Sequence, residues 1–230
     1  MERKDNSDMD SYTIRVPTNI MLVDDHALVR SGLKHFLQKS EKIRVVAEAS
    51  RGEEALQMAL AVRPDIVLMD FDMPGISGLE ATQRLLRDLP NTKVIIVSAF
   101  THEAIILRLL KIGASGFVAK GAHAMEIVEA INTVNNGGRY INKRLAARLT
   151  EGDLKDGELA SFDSLSNKEL LIVLMIAQGY RNKKISERLH LSPKTVSTYC
   201  SSSLKKLGVK NKVQLTLKAI EHQLVDLESV

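Results

Sequence analysis

Between Ile20 and Asn136 the chain alternates short apolar runs with amphipathic stretches, and this alternation leaves few folds open. The runs are Ile20–Val23, Val45–Ala49, Ile66–Asp70, Val94–Ser98 and Gly116–Ala119. Each has the length of a strand, and most are rich in Val and Ile. The stretches between them carry apolar residues at helical spacing, as in Val29, Leu33 and Phe36, and again in Ala124, Val128 and Ile131. Strands without polar alternation need cover on both faces. Five of them alternating with five helices predict a doubly wound, open parallel sheet. Such a sheet binds ligands beyond the carboxyl ends of its strands, so functional residues are expected just after each run.

They are there. Asp24 and Asp25 follow the first run, Asp70 ends the third, Ser98 ends the fourth and Lys120 closes the fifth. In a parallel sheet these side chains converge on one edge. Three carboxylates packed together repel one another unless a cation joins them. Oxygen ligands with spare positions suit Mg2+, which keeps water and accepts a phosphate oxygen. Lys120 supplies a point charge for a phosphoryl group, and Ser98 offers a hydroxyl to the same oxygens.

The rest of the chain reads differently. Residues 1–18 form a polar N-terminal extension without the apolar core of a secretory signal. Residues 19–142 make the α/β domain. Residues 143–161 are charged and poor in large apolar side chains, a linker with helical character near Arg144–Leu149. Residues 162–230 hold four helical patterns: Lys168–Gln178, Lys183–Leu189, Lys194–Lys206 and Lys212–His222. Ser166 with Glu169 makes a capping box for the first, and Ser192-Pro193 starts the third. The single cysteine, Cys200, excludes an internal disulfide and any multi-cysteine metal site, and reads as a packing residue. No apolar run approaches the ~20 residues of a membrane span, so a soluble cytoplasmic protein is expected.

Charge separates the two halves. Residues 19–142 hold 14 basic and 14 acidic side chains, whereas residues 160–230 hold 11 basic and 6 acidic. The positive end favours an anionic partner. In the helix Lys194–Lys206, Val196, Leu204 and Leu207 point to a core. Lys194, Ser197, Thr198, Ser201 and Lys205 share the opposite face. A helix of this kind fits the major groove of double-stranded DNA, with hydroxyls near base edges. Lys183, Lys184 and Lys194 are placed for phosphates. In the last helix, Val213, Leu217 and Ile220 form a stripe, mostly explained by core packing, whose exposed edge suits pairing with a second copy.

Val23-Asp24-Asp25-His26, Leu68-Met69-Asp70, Asp72-Met73-Pro74-Gly75, Val97-Ser98-Ala99 and Gly116-Phe117-Val118-Ala119-Lys120 resemble receiver domains. Leu165-Ser166, Glu169, Gly179, Asn182-Lys183-Lys184-Ile185, Leu191-Ser192 and Lys194-Thr195-Val196 resemble the LuxR-type helix-turn-helix. Together they are similar to NarL/FixJ response regulators of two-component systems. Phe162-Asp163, Leu174-Met175-Ile176 and Thr198-Tyr199 carry a finer likeness to GacA/UvrY/LetA-type regulators.

The resemblance implies a flavodoxin-like receiver fold with Asp70 as phosphoacceptor, and an all-α LuxR-type helix-turn-helix. It implies Mg2+ held by Asp25 and Asp70, by Asp24 nearby or through water, and by the backbone carbonyl of Asp72. Ser98 and Phe117 resemble a switch pair, and Thr195 and Tyr199 join the DNA-contact set. The implied partners are a sensor histidine kinase or its phosphotransfer domain, promoter DNA, RNA polymerase, and a second copy once phosphorylated. Promoters of small regulatory RNAs follow from the finer likeness. Before phosphorylation, the receiver either covers the basic helix or holds the chain monomeric.

Three departures stand out. Gly121 follows Lys120 where many receivers have a cis proline, so a trans bond is expected. Asp72 puts an acid beside the phosphorylation site, where it bears on acyl-phosphate lifetime. Cys200-Ser201-Ser202-Ser203 stands where GacA-like proteins carry arginines, which implies a different operator or affinity.

Two other functions compete. One is a regulator that binds DNA without phosphorylation, which a complete acidic pocket disfavours. The other is a HAD-type phosphatase, suggested by Asp70-Phe71-Asp72. That family carries its nucleophile on the first strand and a further acidic motif after the lysine. Here an acidic pair precedes Asp70 and nothing acidic follows Lys120 closely. A non-enzymatic regulator is the expectation.

Overall fold

The computed structural model describes residues 17–99, 103–141, 162, 164–189, 191–222 and 224–225. Five strands, β1 (Thr18–Val23), β2 (Ile43–Ala49), β3 (Ile66–Asp70), β4 (Lys93–Ser98) and β5 (Gly116–Ala119), form one parallel sheet. Its order is β2-β1-β3-β4-β5. Between the strands run α1 (Ala27–Leu37), α2 (Gly52–Val62), α3 (Gly78–Asp88) and α4 (Glu103–Lys111), and α5 (Ala124–Asn135) follows β5.

Alternate side chains on each strand serve opposite faces. Ile20, Leu22, Ile66, Leu68, Ile95 and Val118 pack with Leu37 of α1 and Ile127, Ile131 and Val134 of α5. Met21, Val23, Val67, Met69, Val94 and Ile96 pack with Ala55 and Ala59 of α2 and Leu79 and Leu85 of α3. β2 begins two residues before the apolar run that marked it. It is an edge strand, so exposed Arg44 can break the run while its backbone still pairs with Asn19.

The strand order reverses between β1 and β3, and open α/β sheets bind ligands in the crevice formed at such a reversal. The loop after β3 is drawn tightly across that edge. A Cβ on Gly78 would lie 2.0 Å from the Asp70 carbonyl oxygen, so only glycine lets the backbones approach this closely. The Gly78 amide donates to the Phe71 carbonyl at 3.0 Å and closes the loop.

The C-terminal part contains α6 (Asn167–Ala177), α7 (Asn182–Arg188), α8 (Pro193–Leu207) and α9 (Lys212–Glu221), each starting within one residue of its expected position. In α6 every residue from Glu169 to Ala177 is buried, and the helix packs against α8 and α9. Its capping box is closed: Ser166 Oγ accepts from the Glu169 amide at 3.3 Å, and the Ser166 amide donates to Glu169 Oε2 at 2.6 Å. Ser192 Oγ caps α8 by accepting from the Thr195 amide at 3.0 Å. Arg108 of α4 donates to the Leu165 carbonyl at 2.8 Å.

Residues 1–16 of the expected extension and the whole expected linker, with its helical stretch at Arg144–Leu149, lie outside the described residues. Thr18, the last residue of that extension, already pairs in β1. Among the described residues no helix is long and apolar enough to cross a membrane, and no peptide bond is cis.

Candidate functional site

The sheet's carboxyl edge brings the expected residues together. Lys120 Nζ donates to Asp70 Oδ2 at 2.7 Å and lies 2.9 Å from Asp24 Oδ2. Asp70 and Asp24 are 2% and 4% exposed, so Lys120 bridges two buried carboxylates. Asp70 Oδ1 accepts from the Asp72 amide at 3.2 Å, and Asp24 Oδ1 accepts from the His26 amide at 2.8 Å. Ser98 is buried at the end of β4, where its carbonyl accepts from the Lys120 amide at 2.8 Å. Phe117 is buried on β5 opposite Ile96. Asp72 is half-buried on the loop after β3.

One lysine does not neutralise this pocket. Burial pushes the Asp70 carboxyl up to about 7; Lys120 pulls it down, and the Asp24 charge adds to the rise. Burial also works against the Lys120 ammonium, but Asp70 and Asp24 overcome it and raise its pKa. Asp24, Asp25, Asp70 and His26 each offer a ligand atom, all within 4.8 Å of one another. His26 Nδ1 stands 2.7 Å from Asp25 Oδ1. It does not hydrogen-bond there, and that oxygen is buried without a donor. A buried carboxylate oxygen that accepts no hydrogen bond, set among like charges, fits a hard divalent cation. Sequence reasoning did not place His26 in the site, although it directly follows the acidic pair.

The second face is on α7 and α8. Lys183, Lys184, Lys194, Ser197, Thr198, Ser201 and Lys205 are all exposed, whereas Thr195 and Tyr199 are half-buried. The Thr195 hydroxyl is paired with the Ser192 hydroxyl at 2.8 Å. Ser197 and Thr198 donate to the carbonyls of Pro193 and Lys194, each at 3.0 Å, and Ser197 Oγ also accepts from Asn182 Nδ2 at 3.1 Å. In the Cys200–Ser203 segment Cys200 and Ser203 are buried and only Ser201 is fully exposed. Burial raises the Cys200 thiol pKa, in keeping with a packing role.

The stripe on α9 needs correcting. Val213 and Leu217 are 68% and 61% exposed, and Leu215 and Ala219 face the core instead. The two exposed residues border a groove lined by Ile176, Tyr180 and Thr216.

Sequence reasoning also missed how α8 is held. Glu169 of α6 is 3% exposed and accepts from Ser202 Oγ and Lys206 Nζ of α8, each at 2.6 Å. Burial alone would raise its pKa, but Lys206, Ser202 and Ser166 hold the carboxyl at about 2. A glutamate inside an apolar helical run was the available signal, read only as a cap.

Residues 20–132 match the response regulator receiver domain, and residues 163–219 match the bacterial regulatory proteins of the luxR family. The chain is 43% identical to the response regulator GacA of Pseudomonas aeruginosa over 211 residues, covering 91% of this chain and 99% of that one. It is 41% identical to the response regulator UvrY of Escherichia coli over 213 residues, covering 92% and 98%. Among solved structures it resembles RcsB of Salmonella enterica bound to a promoter in the presence of phosphomimetic beryllofluoride. That match has a TM-score of 0.55 and 25% identity, covering 88% of this chain and 98% of that one. The chain therefore belongs to the LuxR/NarL family of two-component response regulators, transcription factors that join a phosphorylatable receiver to a DNA-binding helix-turn-helix. Within that family it is GacA/UvrY-like, and it is not an enzyme.

The buried charge gives a stability prediction. The folded pKa of Asp70 lies above the ordinary 3.8, so the metal-free fold loses stability as pH rises from that value through about 7. Metal-free Asp70→Asn should melt above the wild type, by a margin that grows from about pH 5 to about pH 8 and shrinks when Mg2+ is added. Thermal melts of both chains check this; a margin independent of pH contradicts it.

Proposed function

We propose that Asp70 accepts a phosphoryl group from a sensor histidine kinase or its phosphotransfer domain, and that the phosphorylated chain dimerises and binds promoter DNA through α8. The carrying observation is the buried Asp70 carboxylate, hydrogen-bonded to Lys120 at 2.7 Å among further acids. An oxygen of Asp70 attacks phosphorus, the P–N bond of the donor phosphohistidine breaks, and the electron pair leaves with the imidazole. The product is a mixed anhydride on Asp70.

Asp25, Asp70 and the Asp72 carbonyl, with Asp24 nearby, would hold Mg2+. When bound, this cation neutralises charge on the carboxylates and the incoming phosphoryl oxygens. Lys120 turns from the carboxylate to a phosphoryl oxygen, and the Ser98 hydroxyl takes another. Catalysis of this kind needs positioning and charge neutralisation more than covalent help. Leu28 and Met125 are large, apolar and exposed at the starts of α1 and α5, and suit contact with a donor protein.

The movement of Ser98 and Phe117 links the pocket to the rest of the chain. It shifts a pre-existing equilibrium through contacts that differ between the two states. Before phosphorylation, inhibition acts either by covering α8 or by holding the chain monomeric. Val213 and Leu217 suit contact with a second copy, and a dimer reads two half-sites. The likeness to GacA and UvrY extends the proposal to promoters of small regulatory RNAs, read in the cytoplasm with RNA polymerase. DNA binding without phosphorylation is the second reading, disfavoured because every pocket residue is present and brought together.

Intact-mass measurement after incubation with acetyl phosphate and Mg2+ tests the first half. The wild type should gain one base-labile phosphoryl group and Asp70→Asn should gain none; equal yields contradict the assignment. Titrations against a selected and a scrambled duplex test the second half. Lys183→Ala or Lys194→Ala should weaken both complexes and lower the salt slope by ~1 each. Replacing Ser197, Thr198 and Ser201 should instead cost roughly 1–3 kcal/mol on the selected duplex for every base-edge hydrogen bond removed. An unchanged selected-to-scrambled ratio in that triple variant removes α8 as the reader.

A further inference from the structure

We propose that Glu53 of α2 is a positioning residue for the phosphoacceptor loop, holding by its carboxylate the backbone that presents Asp72 to the pocket. This rests on the reading of Asp70 given above. Glu53 Oε1 accepts from the Ile76 amide at 2.9 Å, a bond between residues 23 apart in sequence. The carboxylate also lies directly over Gly75. A Cβ at Gly75 would fall 2.5 and 2.7 Å from the two Glu53 oxygens, and Gly75 has φ +85°. The positive φ is what favours glycine here, and the short distances show how closely the Glu53 carboxylate lies against this backbone. One residue earlier on α2, a Cβ on Gly52 would fall 2.5 Å from Ile76 Cγ1. The first turn of α2 thus sits closely on residues 75 and 76.

The loop from Asp70 to Gly78 is then pinned along its length. Its start is tied by the Asp72 amide on Asp70 Oδ1, its end by the Gly78 amide on the Phe71 carbonyl, and its middle by Glu53. Glu53 is itself exposed, yet its carboxyl is held below the ordinary range by its own amide and by that of Ile76. Its neighbour Glu54 supplies a natural contrast. Glu54 Oε2 accepts from the Ser50 amide at 2.7 Å and from the Ser50 hydroxyl at 3.0 Å, and no loop contact enters its lowered pKa. Both acids sit at the positive end of α2, so a general effect of helix charge would treat them alike.

Without the Glu53 bond, residues 72–76 visit other conformations and the Asp72 carbonyl is in place for only part of the time. Cation affinity falls by that fraction. Three measurements on the full chain test this: exchange of the Ile76 amide by NMR, Mg2+ affinity by titration, and the rate of phosphorylation by acetyl phosphate. Glu53→Ala should speed exchange at Ile76 and weaken Mg2+ binding by about 10-fold, the lower end for groups that orient metal ligands. Glu53→Gln keeps an acceptor oxygen and should stay near the wild type. Glu54→Ala should leave the Mg2+ affinity and Ile76 exchange unchanged. A Glu53→Ala chain that binds Mg2+ like the wild type, or a Glu54→Ala chain that weakens equally, overturns the proposal. A wild-type chain that takes no phosphoryl group sinks the reading of Asp70 instead; a phosphorylatable wild type matched by Glu53→Ala sinks the positioning role alone.

Discussion

Burying Asp70 and Asp24 against a single lysine is the constraint on which the receiver is built. Two carboxylates that are nearly inaccessible to water share one ammonium, and Asp25 adds a further oxygen without a donor. Uncompensated buried charge is costly, and folding tolerates it only where surrounding packing is strong enough to hold it. The two apolar faces of the sheet supply that packing, from Ile20 and Leu22 on one side to Met21 and Val23 on the other. The fold thus stores an electrostatic deficit at its carboxyl edge. A divalent cation would offset that deficit, whereas Lys120, already bound to both carboxylates, has no further charge to give.

The C-terminal part solves the opposite problem. Glu169 is buried but fully partnered, by the Ser166 amide, Ser202 and Lys206. Its low pKa reflects partners that outweigh burial, whereas at Asp70 burial outweighs Lys120 and the Asp72 amide. A satisfied network fixes the angle of α8 on α6 and leaves Lys194, Ser197, Thr198 and Ser201 outside for a ligand. Hydrogen bonds to a charged group contribute about 1.5–3 kcal/mol, so the clamp is a substantial share of what holds so small a helical unit in shape.

Much of this was legible in the sequence because it depends on local pattern. Apolar runs of strand length, Ser166 with Glu169, and Ser192-Pro193 all specify structure within a few residues of themselves. The acidic pocket was legible too, since parallel strands must bring Asp24, Asp70 and Lys120 to one edge. What escaped were contacts whose partners lie far apart with no periodic mark. Nothing near Glu53 announces Ile76, and nothing near Glu169 announces Lys206. The α9 stripe was misjudged for a related reason. Ile220 does pack against the core, but spacing does not say which face is buried, and Leu215 and Ala219 rather than Val213 and Leu217 hold that position.

The two halves meet physically where Arg108 of α4 donates to the Leu165 carbonyl, just ahead of the capping box that starts α6. Helix α4 follows β4, the strand that ends at Ser98. The central claim is that occupancy of the acidic pocket controls DNA binding. Its most direct test is the affinity of the full chain for a duplex selected from a random pool, with molecular mass followed by light scattering. Mg2+ and beryllofluoride should tighten binding by the wild type and convert the bound species to a dimer, with no gain in Asp70→Asn. Equal affinity with and without those reagents, or the same gain in Asp70→Asn, would contradict the account.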